Sequence, residues 1–372
     1  MSGAIVIVAG GTGGHLFPAE ALARELLGRG RPVHLLTDRR ADALAERVPG
    51  IALHRVIAGR LDGGPVRAVR GVAELALGTL QAHRLLRRLR PAAAIGFGGY
   101  VSVPTMLAAV RLRVSTAIHE QNAVLGRANR LLARQVERIA TGFPATAGLL
   151  AAAQGRVVHT GNPVRPAIVA IGDRDYRPPR EGDIELLILG GSQGARALSE
   201  IVPPALAGLP EPLRSRLRIS QQARPEDLGA VEACYRECGI AAELASFFPD
   251  VPERLGRAHL AICRAGASTI AELAAAGRPS VLIPYPHAAD DHQAANARAI
   301  AEAGAGWVMP QAGLTSAILG TGLAALLTDP DALCRAAAQA RAFSRRDAAA
   351  RLADLALAGA GGRCDPVQER AA

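Results

Sequence analysis

Six apolar residues, Ala4 to Ala9, run straight into Gly10-Gly11-Thr12-Gly13-Gly14, and His15 follows at once. Four glycines in five residues let backbone amides approach a ligand without Cβ interference and admit the positive φ of a tight turn. Pro18 suits an early helical position, where its missing N–H costs no hydrogen bond. Amides and a helix dipole at such a turn favour an anion. A second loop of the same kind, Gly190-Gly191-Ser192-Gln193-Gly194, follows the apolar run 184–189. Two anion-ready loops suit a ligand carrying a diphosphate. His15 stands at the mouth of the first of these turns, where a histidine calls for an explanation.

The first loop also invites a dinucleotide reading. G-x-G-x-x-G is met at Gly11 and Gly13 and fails at Leu16, while Asp38 stands about where an acidic ribose ligand would sit. A nicotinamide oxidoreductase is therefore the alternative this stretch leaves open, and a binding protein with a degenerate site is another. A P-loop is excluded, because no GK[ST] is present. Three further stretches look chemical: GFGGYVSVP (96–104), HEQN (119–122), and CRAGASTIAELAAAGRPSVLIPYPHAADDHQAANA (263–297). Each has a plainer reading, with Glu120 as a solvated carboxylate, His119 as a satisfied strand-end histidine, and Asp290 and Asp291 as a helix cap. Polar groups at successive strand ends favour one shared crevice instead.

The elements that must position these residues follow from an alternation of short apolar runs with helical patterns. Strands are expected at 4–9, 33–37, 51–56, 92–97, 115–119, 138–142 and 156–160, and helices at 17–29, 68–90, 102–112 and 125–135. After a segment rich in proline, glycine and charge (160–183), which reads as a linker, the pattern restarts at 184. Strands are then expected at 217–221, 243–247, 259–263, 279–284 and 306–309. Helices are expected at 226–238, 252–257, 268–276, 291–303, 331–343 and 347–358. Such alternation predicts parallel sheets covered by helices, in two Rossmann-like domains, with the ligand beyond the carboxyl ends of the strands.

Composition narrows the partners. The 372 residues hold 43 basic and 33 acidic side chains, for a formal net charge of +10, and every base is arginine. The excess points to an anionic partner: nucleic acid, a phosphorylated substrate or an acidic membrane surface. Nucleic acid is disfavoured, because aromatics make up only 3% of the chain and stacking platforms are scarce. Five cysteines without a CxxC pair fit a reducing compartment and neither a zinc site nor a disulfide framework. No apolar run approaches the roughly 18 residues of a membrane span. The start lacks the basic n-region of a signal peptide.

Taken together, GGTGGHLFPA, GFGGYVSVP, HEQN, GNPVR, GGSQGA and CRAGASTIAELAAAGRPSVLIPYP resemble the MurG family, in that order and across about residues 4–345. That family makes lipid II from lipid I by moving N-acetylglucosamine (GlcNAc) from UDP-GlcNAc. The resemblance implies an α/β fold of GT-B type, two Rossmann-like domains with parallel sheets facing across a cleft. It implies inversion at the sugar, no cofactor, and no essential metal held by a DxD motif. Asp173-Arg174-Asp175 has those letters but lies in the expected linker. The domains are expected at 1–162, joined by a terminal helix 345–358, and at 163–344, with 359–372 a disordered tail.

Residue by residue, the resemblance puts the donor mainly on the second domain. Ser192 and Arg165 would serve its phosphates, with amides at Ala267, Ser268 and Thr269. Glu272 would take the ribose hydroxyls, Phe248 would frame the uracil, and Gln293 with Asn296 would read the sugar, with His292 competing for that place. Thr12, Gly13, Gly14 and Asn122 would face the donor sugar and the acceptor pyrophosphate. Gly98, Gly99, Tyr100 and His119 would complete the acceptor side. His15 is the first choice for the base and Glu120 the second, with a phosphate contact as the competing role of His15. The acceptor is a lipid, so a membrane face is also implied. In the run 64–91, Val66, Val69, Ala73, Leu77 and Leu80 recur at helical spacing beside Arg67 and Arg70, which suits an anionic lipid surface. VRLRV (110–114) is a second contributor. A helix covering a sheet shows the same stripe, and that plainer reading stays open here. The implied location is peripheral, on the cytoplasmic face of the inner membrane, near other proteins of cell-wall synthesis.

Overall fold

The structure is a computed structural model that describes residues 3–10, 13–38, 47–59, 65–191 and 194–361. The chain divides into two compact units, Met1–Pro163 with Asp347–Ala372, and Val164–Arg346.

The first unit runs β1 (Ile5–Val8), α1 (Gly13–Gly28), β2 (Val33–Thr37), β3 (Ala52–Arg55), α2 (Pro65–Leu89), β4 (Ala93–Gly96), α3 (Ser102–Arg111), β5 (Ser115–Glu120), α4 (Arg127–Leu132), β6 (Arg138–Thr141) and β7 (Val157–His159). All pairings are parallel and the sheet order is β3-β2-β1-β4-β5-β6-β7. β1 is apolar at every position because both faces are covered. Its Ile5 and Ile7 pack with Leu22 and Leu26 on one side, and its Val6 and Val8 with Leu86 and Met106 on the other.

The second unit restarts the same winding. It comprises α5 (Pro166–Val169), β8 (Ile184–Leu189), α6 (Arg196–Ala207), α7 (Glu211–Arg214), β9 (Leu217–Gln222), α8 (Leu228–Glu237), β10 (Ala241–Ala245), α9 (Val251–Arg257), β11 (Leu260–Cys263), α10 (Ala267–Ala276), β12 (Ser280–Leu282), α11 (His292–Glu302), β13 (Trp307–Val308), α12 (Ser316–Leu327) and α13 (Pro330–Phe343). Its order, β10-β9-β8-β11-β12-β13, is again 3-2-1-4-5-6 when counted from the unit's own first strand. The order reverses beside β1 and β8, and the loops that follow those strands sit at the switch points where doubly wound sheets hold ligands. The last helix, α14 (Ala348–Gly361), returns to the first unit, where Leu352, Ala353 and Ala356 join the core of β1 and α1.

Four details differ from the sequence reading. α1 starts at Gly13 rather than 17, which places His15 inside its first turn. α12 was not expected, because Gly320 and Gly322 break the apolar pattern. They stand where Ala205 O and the Met309 methyl would meet a Cβ, at 3.0 and 2.4 Å, while Leu319, Leu323 and Leu327 fill the core. The segment 160–183 is no free tether: Ile168 and Ile171 are buried and the Tyr176 hydroxyl donates to His259 O at 2.8 Å. α14 runs three residues past its expected end, and 362–372 lie outside the described residues.

α2 shows an unusual division of faces. The residues it buries are Gly71, Gly78, Ala82 and Leu86. A Cβ at Gly78 would lie 2.0 Å from Ile57 O, so glycine there lets the helix touch the loop after β3. Val69, Val72, Leu77 and Leu80 therefore turn outward, at 72%, 59%, 57% and 46% exposure. Of the expected membrane stripe, the side chains of Val66 and Arg67 lie outside the described residues. Arg70 is exposed and pairs with Glu74 at 2.8 Å. Among the described residues no single helix is long and apolar enough to cross a membrane, and the bent pair Ser316–Leu327 with Pro330–Gly359 meets that length only across a 90° break. Truncation should separate the two faces of α2. In urea unfolding, Leu86→Ala should destabilise by about 2–5 kcal/mol, and Leu77→Ala by no more than about 0.5 kcal/mol.

Candidate active site

At the switch point of the first unit, Gly10 ends β1 against α3. A Cβ there would lie 2.7 Å from Val101 Cγ1, so a larger residue would push the two apart. Beside it, β4 ends in Phe97-Gly98-Gly99, and both glycines have positive φ, +87° and +73°. Gly98 passes so close to the His15 ring that a Cβ would sit 3.4 Å from Cε1. His15 is half-buried, and its Nδ1 lies 3.0 Å from Gln121 Oε1. Gly14 is exposed and Gly99 and Tyr100 are half-buried, so this rim is open to a ligand. Thr12 lies outside the described residues.

Behind the rim, β5 ends in the HEQN run, and here the structure reassigns two residues. His119, expected on the acceptor side, is completely buried. Its Nε2 meets Gly161 O at 3.0 Å, and burial pushes its pKa down to about 4, with His15 and His159 adding to the shift and the Gly161 contact opposing it. It is a neutral residue behind the wall rather than part of it. Glu120, the second choice for the base, is also buried. Its Oε1 accepts from Asn122 N and Nδ2 at 3.0 and 3.2 Å, and its Oε2 accepts from Gly126 N and Asn129 Nδ2, both at 2.8 Å. A carboxylate offers about four lone-pair sites, and all are taken by the loop it ties down, so no lone pair remains to receive a substrate proton. Asn122 thus takes part through that clamp. Gln121, Asn129 and Asn162 were not singled out in the sequence. The signal for Gln121 was its place inside the polar run that ends β5.

In the second unit, Gly190, Gly191 (φ +83°) and Gly194 (φ +70°) close the turn after β8, with Gly194 N donating to Gly191 O at 3.0 Å. Ser192 lies outside the described residues. α10 opens at Ala267-Ser268-Thr269, and Gly266 before it supplies no side-chain cap. The first amides of a helix have no partner within it, so this terminus presents donors and positive dipole potential. Glu272, in the middle of α10, holds Arg165 through Oε1 at 3.1 and 2.9 Å. Burial raises its pKa and Arg165 opposes that rise. Arg165 is therefore tied to Glu272, which fixes where its charge stands.

Two left-handed residues, Asp290 (φ +52°) and Asp291 (φ +50°), launch α11. Non-glycine residues in that region carry strain of order 1 kcal/mol or more. The turn brings Gln293 over the ends of β11 and β12, where its Oε1 accepts from Ala265 N at 3.2 Å and Tyr285 N at 2.9 Å. Its Nε2 has no partner among the described residues and keeps two donors for a ligand. His292, its competitor, has Nδ1 2.7 Å from Ala289 O in the same turn. Asn296 is fully buried and its Nδ2 donates to Ala265 O at 3.1 Å, so it shapes the wall rather than reading a sugar directly. Phe248 is also buried, with the Arg254 guanidinium 4.0 Å from its ring centroid, whereas Phe247 is 68% exposed. The ring open to a ligand is thus Phe247. Arg264, inside the CRAG run, was missed: it donates to Ile283 O at 3.0 Å and to Gln311 Oε1 at 2.7 Å, joining three strand-end loops. The DxD-like pair is occupied otherwise, with Asp173 bound to Arg346 at 2.6 Å and Asp175 near Arg341 at 3.9 Å.

Comparison with known proteins identifies the family. Residues 5–141 match the glycosyltransferase family 28 N-terminal domain and residues 185–352 its C-terminal domain. The chain is 56% identical over 366 residues to a UDP-N-acetylglucosamine–N-acetylmuramyl-(pentapeptide) pyrophosphoryl-undecaprenol N-acetylglucosamine transferase of Rhodospirillum centenum, covering 97% of each chain. It is 54% identical to the transferase of that name from Rhodospirillum rubrum, covering 95% of this chain and 91% of that one. The crystal structure of Acinetobacter baumannii MurG superposes with a TM-score of 0.76 at 32% identity, covering 95% of this chain and 99% of that one. The calicheamicin glycosyltransferase CalG4, at 17% identity and a TM-score of 0.67, shares the fold. Two family domains in order, a GT-B architecture and extensive identity to these transferases place the chain in the MurG family of glycosyltransferases.

Proposed function

We propose that this chain transfers GlcNAc from UDP-GlcNAc to the C4 hydroxyl of N-acetylmuramic acid in undecaprenyl-pyrophosphoryl-MurNAc-pentapeptide. The observation that carries the reading is His15: a half-buried imidazole in the first turn of α1, beside a glycine loop at a sheet switch point, held by a buried amide. A sugar hydroxyl is a poor nucleophile, and a base in hydrogen-bond reach lowers the barrier. His15 Nε2 takes the hydroxyl proton as O4 bonds to C1 of the donor sugar. The C1–O bond to the diphosphate breaks on the opposite face, which inverts the anomeric centre, and its electron pair leaves with UDP.

The second unit supplies the donor site in this reading. The α10 terminus and the glycine turn after β8 meet the diphosphate, and the dipole stabilises the charge that grows as UDP departs. Glu272 Oε2, which has no partner among the described residues, accepts from the ribose. Gln293 Nε2 donates to the GlcNAc hydroxyls, because its oxygen is already spent on two backbone amides.

The outward stripe of α2 is the membrane contact in the same reading. Val69, Val72, Leu77 and Leu80 offer apolar area, and Arg70, Arg111 and Arg113 offer exposed positive charge. Each basic residue near an anionic surface contributes about 1 kcal/mol. The net charge of +10 acts in the same direction. In this reading the enzyme works at the cytoplasmic leaflet, where its acceptor is anchored.

Three outcomes are expected. With a lipid I analogue and UDP-GlcNAc, His15→Ala should lower kcat by about 10²–10⁴-fold and leave the KM for UDP-GlcNAc unchanged; an equal loss in both removes His15 from the base role. Gln293→Glu keeps the acceptor oxygen and deletes the donors. It should raise the KM for UDP-GlcNAc without lowering the melting temperature, and an unchanged KM would show that Gln293 does not read the sugar. Val72→Asp with Leu77→Asp should abolish sedimentation with anionic vesicles and slow turnover of a vesicle-borne acceptor. The same pair should spare a water-soluble short-chain acceptor, and unchanged vesicle binding would discard the membrane face.

A further inference from the structure

The hydrogen bonds behind His15 determine which of its two nitrogens carries the proton. Gln121 is 2% exposed, and its Nε2 faces three acceptors: Phe97 O at 3.1 Å, His119 O at 3.0 Å and His119 Nδ1 at 3.1 Å. Carbonyl oxygens only accept, so the amide nitrogen must lie on that side; the reversed amide would set an oxygen against two carbonyls. The third acceptor follows from its own partner. His119 Nε2 lies 3.0 Å from Gly161 O and must carry the hydrogen there, which leaves Nδ1 a lone pair. Burial keeps this ring neutral, so the assignment is not overturned by protonation near neutral pH. The backbone on either side is also pinned, by Asn162 Nδ2 to Gln121 O at 2.9 Å and Asn129 Nδ2 to His119 O at 3.1 Å.

With the nitrogen end committed, Gln121 Oε1 is the group that faces His15 Nδ1 at 3.0 Å, and an amide oxygen only accepts. We infer that Gln121 is a positioning residue that holds neutral His15 as its Nδ1–H tautomer and so leaves Nε2 as the basic nitrogen turned toward the acceptor. The inference rests on His15 acting as the base. The same bond persists after proton transfer, because the imidazolium also donates from Nδ1. The chain of contacts is therefore suited to both states of the base and needs no rearrangement between them. The arrangement does for this histidine what a buried carboxylate does in a Ser-His-Asp triad, using a neutral acceptor. In such a triad, a change that leaves the geometry intact but selects the wrong tautomer costs about 10⁴ in kcat.

The test reads the tautomer directly. The full chain is prepared with 15N-labelled imidazoles, and His15 is assigned among the nine histidines by comparison with His15→Asn. Long-range 1H–15N spectra of the neutral ring should show a protonated Nδ1 and a bare Nε2. A protonated Nε2 overturns the inference. Gln121→Met removes the acceptor at similar volume. It should move the His15 signals toward the Nε2–H form and lower kcat by about 100-fold or more, with the KM for UDP-GlcNAc unchanged. Wild-type kcat in a folded Gln121→Met protein overturns the inference as well. If that variant does not fold, the wild-type spectrum decides alone. The two readings fail separately: an inactive His15→Asn with the wrong wild-type tautomer sinks only the role of Gln121, whereas an active His15→Asn sinks the base itself.

Discussion

A parallel sheet leaves a row of backbone N–H and C=O groups at the carboxyl ends of its strands, and those ends are buried under loops that must also admit a ligand. Buried polar groups need partners, and an orphan costs about 1–3 kcal/mol. Both units meet this constraint with long amide or guanidinium side chains that reach across strand ends. Gln121 spans β4 and β5 by donating to Phe97 O and His119 O. Gln293 spans the loops after β11 and β12 by accepting from Ala265 N and Tyr285 N. Arg264 and Asn296 extend the second set. In each glutamine, satisfying the backbone commits one end of the amide and thereby fixes what the other end shows: an acceptor toward His15 in one unit, a pair of donors in the other. The architecture of the sheets and the chemistry of the site are the same set of hydrogen bonds.

The acidic residues follow the same logic from the opposite side. Glu120 is engaged by four donors and stabilises the loop that carries Asn122 and Gly126. Glu272 spends one oxygen on Arg165 and retains the other. A carboxylate in a site is thus not a candidate base by type alone. What decides is how many of its lone pairs the fold has already used.

The surface of α2 depends on glycine in a similar way. Because Gly78 brings the helix close to the loop after β3, Val69, Val72, Leu77 and Leu80 face outward while Leu86 fills the core. The periodicity of Val69, Ala73, Leu77 and Leu80 was visible in the sequence, but periodicity does not say which side of a helix meets the protein.

Much of the fold was readable because hydrophobic period and glycine punctuation are local properties. Most strands of both sheets and most helices were expected within a few residues, and the two glycine turns marked both switch points. α12 escaped because its Gly320 and Gly322 answer to contacts with Ala205 and Met309, which are distant in sequence. For the site, the residue types and their order pointed to anions at the strand ends, and the family resemblance added the expectation of a base and a sugar there. Only the tertiary structure decided which of these side chains stay open and which are already engaged. It withdrew His119 and Glu120 into the wall, exposed Phe247 in place of Phe248, and brought Gln121 against His15 across 106 positions of sequence. The reason is physical: a side chain's type states what it can donate or accept, but its role depends on which of those bonds the folded backbone has already claimed.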